Sequence, residues 1–215
     1  MANEIKNISR KICYDCYRPM TSCMCDYITP IKTQTRFIIL MHPKEFRHTK
    51  NGTGHFTYLS LENSELYVGI DFSNHNKINA ILDNPNNDCY VIYPSTKSIN
   101  LNTCNLENYG KNRVLFLIDA TWPCSKSMLL QSPNLDALQK VSFTHTKSSA
   151  FTFKKQPKSY CLSTIESTLC VLELLNKSHE EHISSYHLNN FLRPFEKMVE
   201  YQVNHNTITP KETNV

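Results

Sequence analysis

Four cysteines crowd one short stretch: Cys13-x-x-Cys16, then six residues, then Cys23-x-Cys25. Two closely spaced thiol pairs supply the four soft donors that a tetrahedral zinc ion takes. The competing reading is four free thiols in a mobile terminus. In a reducing compartment clustered cysteines bind metal more often than they form disulfides. A four-cysteine site has no open coordination position, so its expected task is to fold a segment with no core of its own. Arg10, Lys11 and Arg18 surround it, either as phosphate contacts or as a solvated basic surface.

Asp119 follows five apolar residues, Val114–Ile118. A carboxylate at the edge of a low-dielectric core can serve as a general base. Trp122, the only tryptophan, stands three residues on and could stack on a nucleobase or an adenine ring. The alternative is that Asp119 caps the following helix and Trp122 fills the core. His42 and Glu45 are either substrate or cofactor contacts, or a strand-end histidine and a carboxylate paired with Lys44 or Arg47. Ser163, Thr164 and Glu166 are either site residues or a helix capping box. No Gly-x-Gly-x-x-Gly, Walker, His-Glu-x-x-His or Gly-x-Ser-x-Gly motif occurs, and four glycines leave little room for a phosphate loop.

These groups need elements to hold them. The continuous apolar run 36–41 suits a buried parallel strand, stopped by Pro43, with a polar loop over 44–55 that leads into a helix through 57–61. Further strands are expected at 66–70, 89–93, 113–118 and 141–144, and helices at 78–82, 125–130 and 162–176. A final amphipathic helix carries Leu188, Phe191, Leu192, Phe195, Met198 and Val199, with Pro194 as its kink or break. Strands alternating with helices predict an α/β fold, a mostly parallel sheet with helices on both faces. Ligands in such folds sit beyond the carboxyl ends of the strands. His42–Glu45, Asp119–Trp122 and Ser163–Glu166 all occupy that place.

The 215 residues suffice for one α/β domain plus a small appendage. The expected division is a zinc-binding module at 1–32, a catalytic domain at 33–205 and a flexible tail at 206–215. With 40% hydrophobic and 20% charged residues the composition is globular. No apolar run approaches the roughly 20 residues of a membrane helix, and the N-terminus lacks a signal peptide, so a cytoplasmic protein is expected. A net charge of +4 suits a polyanionic partner without requiring one. Cys89, Cys104, Cys124, Cys161 and Cys170 read as small buried hydrophobes.

Five segments in this order resemble the DTW-domain family. They are Cys13-x-x-Cys16…Cys23-x-Cys25, Ile39-Leu40-Met41-His42-Pro43-x-Glu45, Asn51-Gly52-Thr53-Gly54, Leu117-Ile118-Asp119-Ala120-Thr121-Trp122 and Leu162-Ser163-Thr164-Ile165-Glu166. The resemblance implies transfer of the 3-amino-3-carboxypropyl group of S-adenosylmethionine to N3 of a tRNA uridine, with methylthioadenosine released. It implies a SPOUT-related fold, whose knotted loops at strand ends cradle the cofactor. Asp119 would be the base. His42, Glu45, Leu117, Thr121, Trp122, Leu162, Ser163, Thr164 and Glu166 would hold cofactor and uridine, and Lys44, Arg47, Lys126, Lys154 and Lys155 would meet RNA phosphates. Two departures bear on the phosphate contacts. Pro123-Cys124-Ser125 follows Trp122 where relatives often carry basic residues, and Lys154 and Lys155 stand where an arginine is usual, without its bidentate fork. The rival readings are an RNA methyltransferase using the same cofactor and a non-catalytic zinc-containing RNA-binding module. Monomer and homodimer stay open.

Overall fold

The computed structural model describes residues 11–47, 52–106, 110–145 and 162–205. Among them are six strands: β1 (Arg36–Met41), β2 (Ser64–Val68), β3 (Asn87–Ile92), β4 (Ile99–Asn100), β5 (Asn112–Asp119) and β6 (Gln139–Ser142). The accompanying helices are α1 (Pro43–Arg47), α2 (Gly54–Leu59), α3 (Asn76–Leu82), α4 (Trp122–Gln131), α5 (Pro133–Asp136), α6 (Thr164–Lys177), α7 (Ser185–Asn190) and α8 (Arg193–His205). The strands form one sheet in the order β2-β1-β5-β3-β6-β4, and every pairing is parallel.

β1 and β5 are unbroken apolar runs because both faces of a central parallel strand are covered. Phe37, Ile39, Leu115 and Leu117 point to one side, into a core shared with Phe56 of α2, Ile165 and Leu172 of α6, and Phe195 and Met198 of α8. Ile38, Leu40, Val114 and Phe116 point to the other, against Ile78 and Ile81 of α3, Met128 and Leu129 of α4, and Leu135 of α5. The two faces thus hold separate cores, as strand alternation requires.

Several boundaries differ from the sequence-based expectation. β2, β3 and β6 each begin two residues earlier, at Ser64-Glu65, Asn87-Asp88 and Gln139-Lys140. Their backbones pair there although their side chains are polar and partly exposed. β4 has two residues, too short to carry a period. Part of the expected 44–55 loop is helical: α1 follows β1 directly, and α2 starts at Gly54. The final helix is two, separated at Phe191-Leu192; Pro194 lies in the first turn of α8, where its missing N–H costs nothing. Among the described residues none of the scattered cysteines is fully buried, although Cys89 packs against the second core. Cys104 is exposed, Cys89, Cys124 and Cys170 are half-buried, and Cys161 lies outside the described residues.

The N-terminal segment is made of turns, including two short 3-10 helices at Met20–Ser22 and Cys25–Tyr27. It packs into the α6–α8 core through Cys13, Cys16, Met24 and Ile31. Tyr17 takes a left-handed conformation (φ 57°) between Cys16 and Arg18. Backbone bonds from Tyr17 N to Cys13 O and from Cys13 N to Arg18 O close that knuckle. No helix among the described residues is long and apolar enough to cross a membrane.

Candidate active site

Asp119 is the last residue of β5, paired in register with Met41 of β1. One residue further on, His42 N–H donates to the Asp119 carbonyl at 3.0 Å. The two central strands therefore stay zipped to their carboxyl ends, and Asp119 is only 5% exposed. Its side chain lies on the face covered by α2 and α6. Thr164, the first residue of α6, donates its hydroxyl to Asp119 Oδ1 at 2.5 Å. Gly54, the first residue of α2, closes the other side: a Cβ there would lie 2.3 Å from Asp119 Oδ2. The N-cap of α4 is Thr121, two residues beyond, so Asp119 does not cap that helix.

A cavity of about 450 Å³ opens beyond the carboxyl ends of β3, β5 and β6, where a ligand is expected in a parallel sheet. Ile92, Leu117, Val141 and Leu162 give it apolar walls, and Tyr93, Phe143 and Trp122 give it aromatic ones. Ser125, Thr164 and Ser167 add hydroxyls. Trp122 is 44% exposed and meets Tyr93 edge-on at 6.1 Å between ring centroids, so it does not fill the core. Thr164 belongs to the cavity wall and to Asp119 at once, which ties the buried carboxylate to the open space.

The residues singled out in the sequence fall into three groups. Leu117, Trp122, Leu162 and Thr164 line the cavity, and Asp119 adjoins it through Thr164. Ser163, Glu166 and Thr121 set helix starts beside it. Glu166 Oε2 accepts from both the backbone N–H and the hydroxyl of Ser163, and the Thr121 carbonyl accepts from Ser125 N–H. His42, Lys44, Glu45 and Arg47 form a separate edge at the end of β1. His42 is buried, and its Nδ1 accepts from Lys44 N–H at 3.1 Å, leaving the ring proton to Nε2. Lys44, Arg47 and Lys126 are exposed, and Glu45 is half-buried. Lys154 and Lys155 lie outside the described residues.

The four cysteines form a compact group whose Sγ atoms all lie within 4.8 Å of one another and could hold a metal ion. Sγ of Cys13 and Cys25 are 3.8 Å apart, and those of Cys16 and Cys23 are 3.7 Å apart. The Cys16 backbone N–H lowers the Cys13 thiol to about 7 against an opposing effect of burial, while burial and the neighbouring thiols push Cys25 far up. Several thiolates cannot share this space without a cation.

Arg18 is neither a phosphate contact nor a solvated residue: it is 2% exposed. It donates from Nη2 to the Gly52 carbonyl at 3.0 Å and contacts Met198 Sδ, and its guanidinium lies 4.5 Å from the Phe56 ring centre. Burial lowers its pKa to about 10, and the cysteine thiolates oppose that. His55 is buried beside it, in a triangle with Tyr17 and Phe46. Burial, and then Arg18, hold the imidazole below its ordinary range.

The family model for the DTW domain matches residues 10–203. The chain belongs to the DTW-domain family. Relatives include the tRNA-uridine aminocarboxypropyltransferase 2 of Drosophila melanogaster, 29% identical over 93% of this chain and 78% of that protein. The Mus musculus protein of the same name is 24% identical over 91% of this chain and 65% of its own length. The Arabidopsis thaliana tRNA-uridine aminocarboxypropyltransferase A is 27% identical over 80% of this chain and 75% of its own. No solved structure matches significantly.

In this DTW-domain chain, Tyr93, Val141 and Phe143 escaped the sequence reading. As site residues their only signal is position: Tyr93 follows β3, the neighbour of β5, while Val141 lies in β6 and Phe143 follows it, one strand further out. Arg18 was read only as a phosphate contact or surface charge and Gly54 only as part of a motif, so the packing of both was missed. A lone charge in a loop reads as surface, and a glycine gives no sign of what approaches it.

Proposed function

We propose that this chain transfers the 3-amino-3-carboxypropyl group of S-adenosylmethionine to N3 of a uridine in tRNA, with methylthioadenosine as by-product. Membership of the DTW-domain family and the activity for which its relatives are named support the reaction class. The observation that carries the assignment to a site is the buried Asp119 carboxylate, held by Thr164 at the wall of an apolar and aromatic cavity.

The donor supplies an electrophilic carbon on a sulfonium, which is already a good leaving group. The work left to the protein is orientation and removal of one proton. Asp119 accepts the N3 proton, nitrogen bonds to the carbon, and the carbon–sulfur bond breaks. Thr164 fixes which carboxylate oxygen faces the substrate. Leu117 and Leu162 exclude water, Trp122 presents an aromatic face to a base or adenine, and Thr121, Ser163 and Glu166 hold the helix starts that shape the rim. His42 and Glu45 contact the substrate from the β1 end. Lys44, Arg47, Lys126, Lys154 and Lys155 meet tRNA phosphates. We read the fold as SPOUT-related and place the reaction in the cytoplasm, where free thiols persist.

Cys13, Cys16, Cys23 and Cys25 fit structural zinc. A tetrahedron with Zn–S bonds of about 2.3 Å spaces its sulfurs by about 3.8 Å, which matches the 3.7 and 3.8 Å pairs found. We assign residues 1–32 to this module and 33–205 to the catalytic domain; the tail expected at 206–215 lies outside the described residues.

The test is incubation of purified protein with S-adenosylmethionine and tRNA, followed by mass spectrometry of the nucleosides. An aminocarboxypropyl adduct on uridine should appear together with methylthioadenosine. A methylated nucleoside, or tRNA binding with no product, would overturn the reading.

A further inference from the structure

The cysteine cluster and Asp119 belong to different parts of the chain, yet one side chain reaches toward both. We propose that Arg18 is a positioning residue: its buried guanidinium joins the four-cysteine metal site to the loop that ends at Gly54 against Asp119, so the metal module sets the geometry of the candidate base. The inference rests on the proposed roles of the cysteines and Asp119.

The argument follows the contacts outward. Four thiolates around a divalent ion leave the cluster with a net charge of about −2. Arg18, two residues after Cys16, is tied into the cysteine knuckle by its carbonyl, which accepts from Cys13 N–H at 2.8 Å, and its buried cation is favoured by the charge of Cys16, Cys23 and Cys25. A buried cation is tolerated only with such compensation. At the far end of the same side chain, Nη2 binds the Gly52 carbonyl, and Phe56 of α2 faces the guanidinium plane. Gly52 is two residues before Gly54, whose Cα lies so close to Asp119 that no Cβ fits. A shift of that loop by a fraction of an ångström therefore reaches the carboxylate. Met198 Sδ, also against Nη2, anchors the arrangement to α8. The contacts divide the two tasks. Charge serves the cluster, and any cation of similar reach keeps part of it. The planar fork serves Gly52 and Phe56, and only arginine supplies it.

Two variants separate these tasks. Zinc-loaded Arg18→Met should release metal to a competing chelator about tenfold faster or more, the scale on which partners of metal ligands act. Arg18→Lys should hold zinc to within a few-fold of wild type. Both variants should show faster amide hydrogen exchange at residues 52–59. Both should also lose kcat with the KM for tRNA little changed, because the exposed cations stay in place. Arg18→Met releasing zinc at the wild-type rate would overturn the proposal, as would wild-type exchange at 52–59 in Arg18→Lys. Should Arg18→Met fail to fold, Arg18→Lys decides through exchange alone. Metal release and exchange are read without turnover, so a wild-type protein that made no aminocarboxypropyl product would sink the proposed reaction and not this link.

Discussion

The Asp119 carboxylate fills the space that a Cβ on Gly54 would need, 2.3 Å from its Oδ2 and 2.6 Å from its Cγ. Gly54 begins α2, and Asp119 ends β5. The glycine lets the start of a helix come close enough to form one wall of the carboxylate's berth.

That contact opposes helix propensity, so Gly54→Ala is informative. Alanine is favoured over glycine within a helix by about 1 kcal/mol. Here its methyl would overlap Asp119 and Met41 Cε. Overpacking of this kind costs typically 1–3 kcal/mol, and the least constrained response is rotation of the carboxylate. We expect a folded variant of lower melting temperature whose turnover falls on the order of a hundredfold, within the range that general-base catalysis supplies. Wild-type turnover with unchanged melting would show that the berth does not matter.

Thr164 and Asp119 make the second test. Thr164→Val keeps the shape and removes the donor to Oδ1. A hydrogen bond to a charged group contributes about 1.5–3 kcal/mol, which corresponds to a loss of roughly ten- to 150-fold in kcat. Thr164→Ser should recover most of it. Asp119→Asn should abolish product formation while circular dichroism and metal content stay those of wild type. Substantial product from Asp119→Asn would remove the carboxylate from the reaction.

Much of this arrangement was legible in the sequence, for reasons that differ by residue. Asp119 stood out because the apolar run before it belongs to a strand covered on both faces. Glu166 was legible as the acidic partner of Ser163 because capping spacing is local. The starts of β2, β3 and β6 were not, because backbone pairing at Glu65, Asp88 and Lys140 leaves no mark on side-chain type. The role of Trp122 needed the third dimension: only the fold shows it half out of the core, edge-on to Tyr93. Arg18 is the clearest case of concealment. Its charge reads as surface, whereas the structure buries it against an aromatic ring, a carbonyl and a methionine sulfur.

If the cysteine cluster holds zinc as proposed, removal of that ion should act on stability before it acts on secondary structure. Cys13 and Cys16 belong to the core beneath α6 and α8, while the sheet is closed by β1, β3 and β5 without them. Treatment with a strong chelator should lower the melting midpoint by about 10 °C, as expected for a few kcal/mol in a chain of this size. The far-UV spectrum at low temperature should change little, and added zinc should restore the midpoint. The same midpoint with the metal gone would mean that the cluster does not stabilise the fold.

His55 gives a prediction in pH. Burial, and then the Arg18 charge, lower its pKa in the folded chain. Unfolding returns it to an ordinary imidazole, which takes up a proton at a higher pH than the folded one does. Stability due to His55 is therefore complete above the ordinary imidazole pKa of about 6.5. It is lost as pH falls from there toward the depressed folded value, since the unfolded state binds the extra proton. Phenylalanine fits between Tyr17 and Phe46 and cannot titrate. Melting curves for wild type and His55→Phe between pH 8 and about 5.5 should diverge as acid is added, with wild type losing more. Parallel curves would show that the imidazole is protonated equally easily in both states, contrary to its burial.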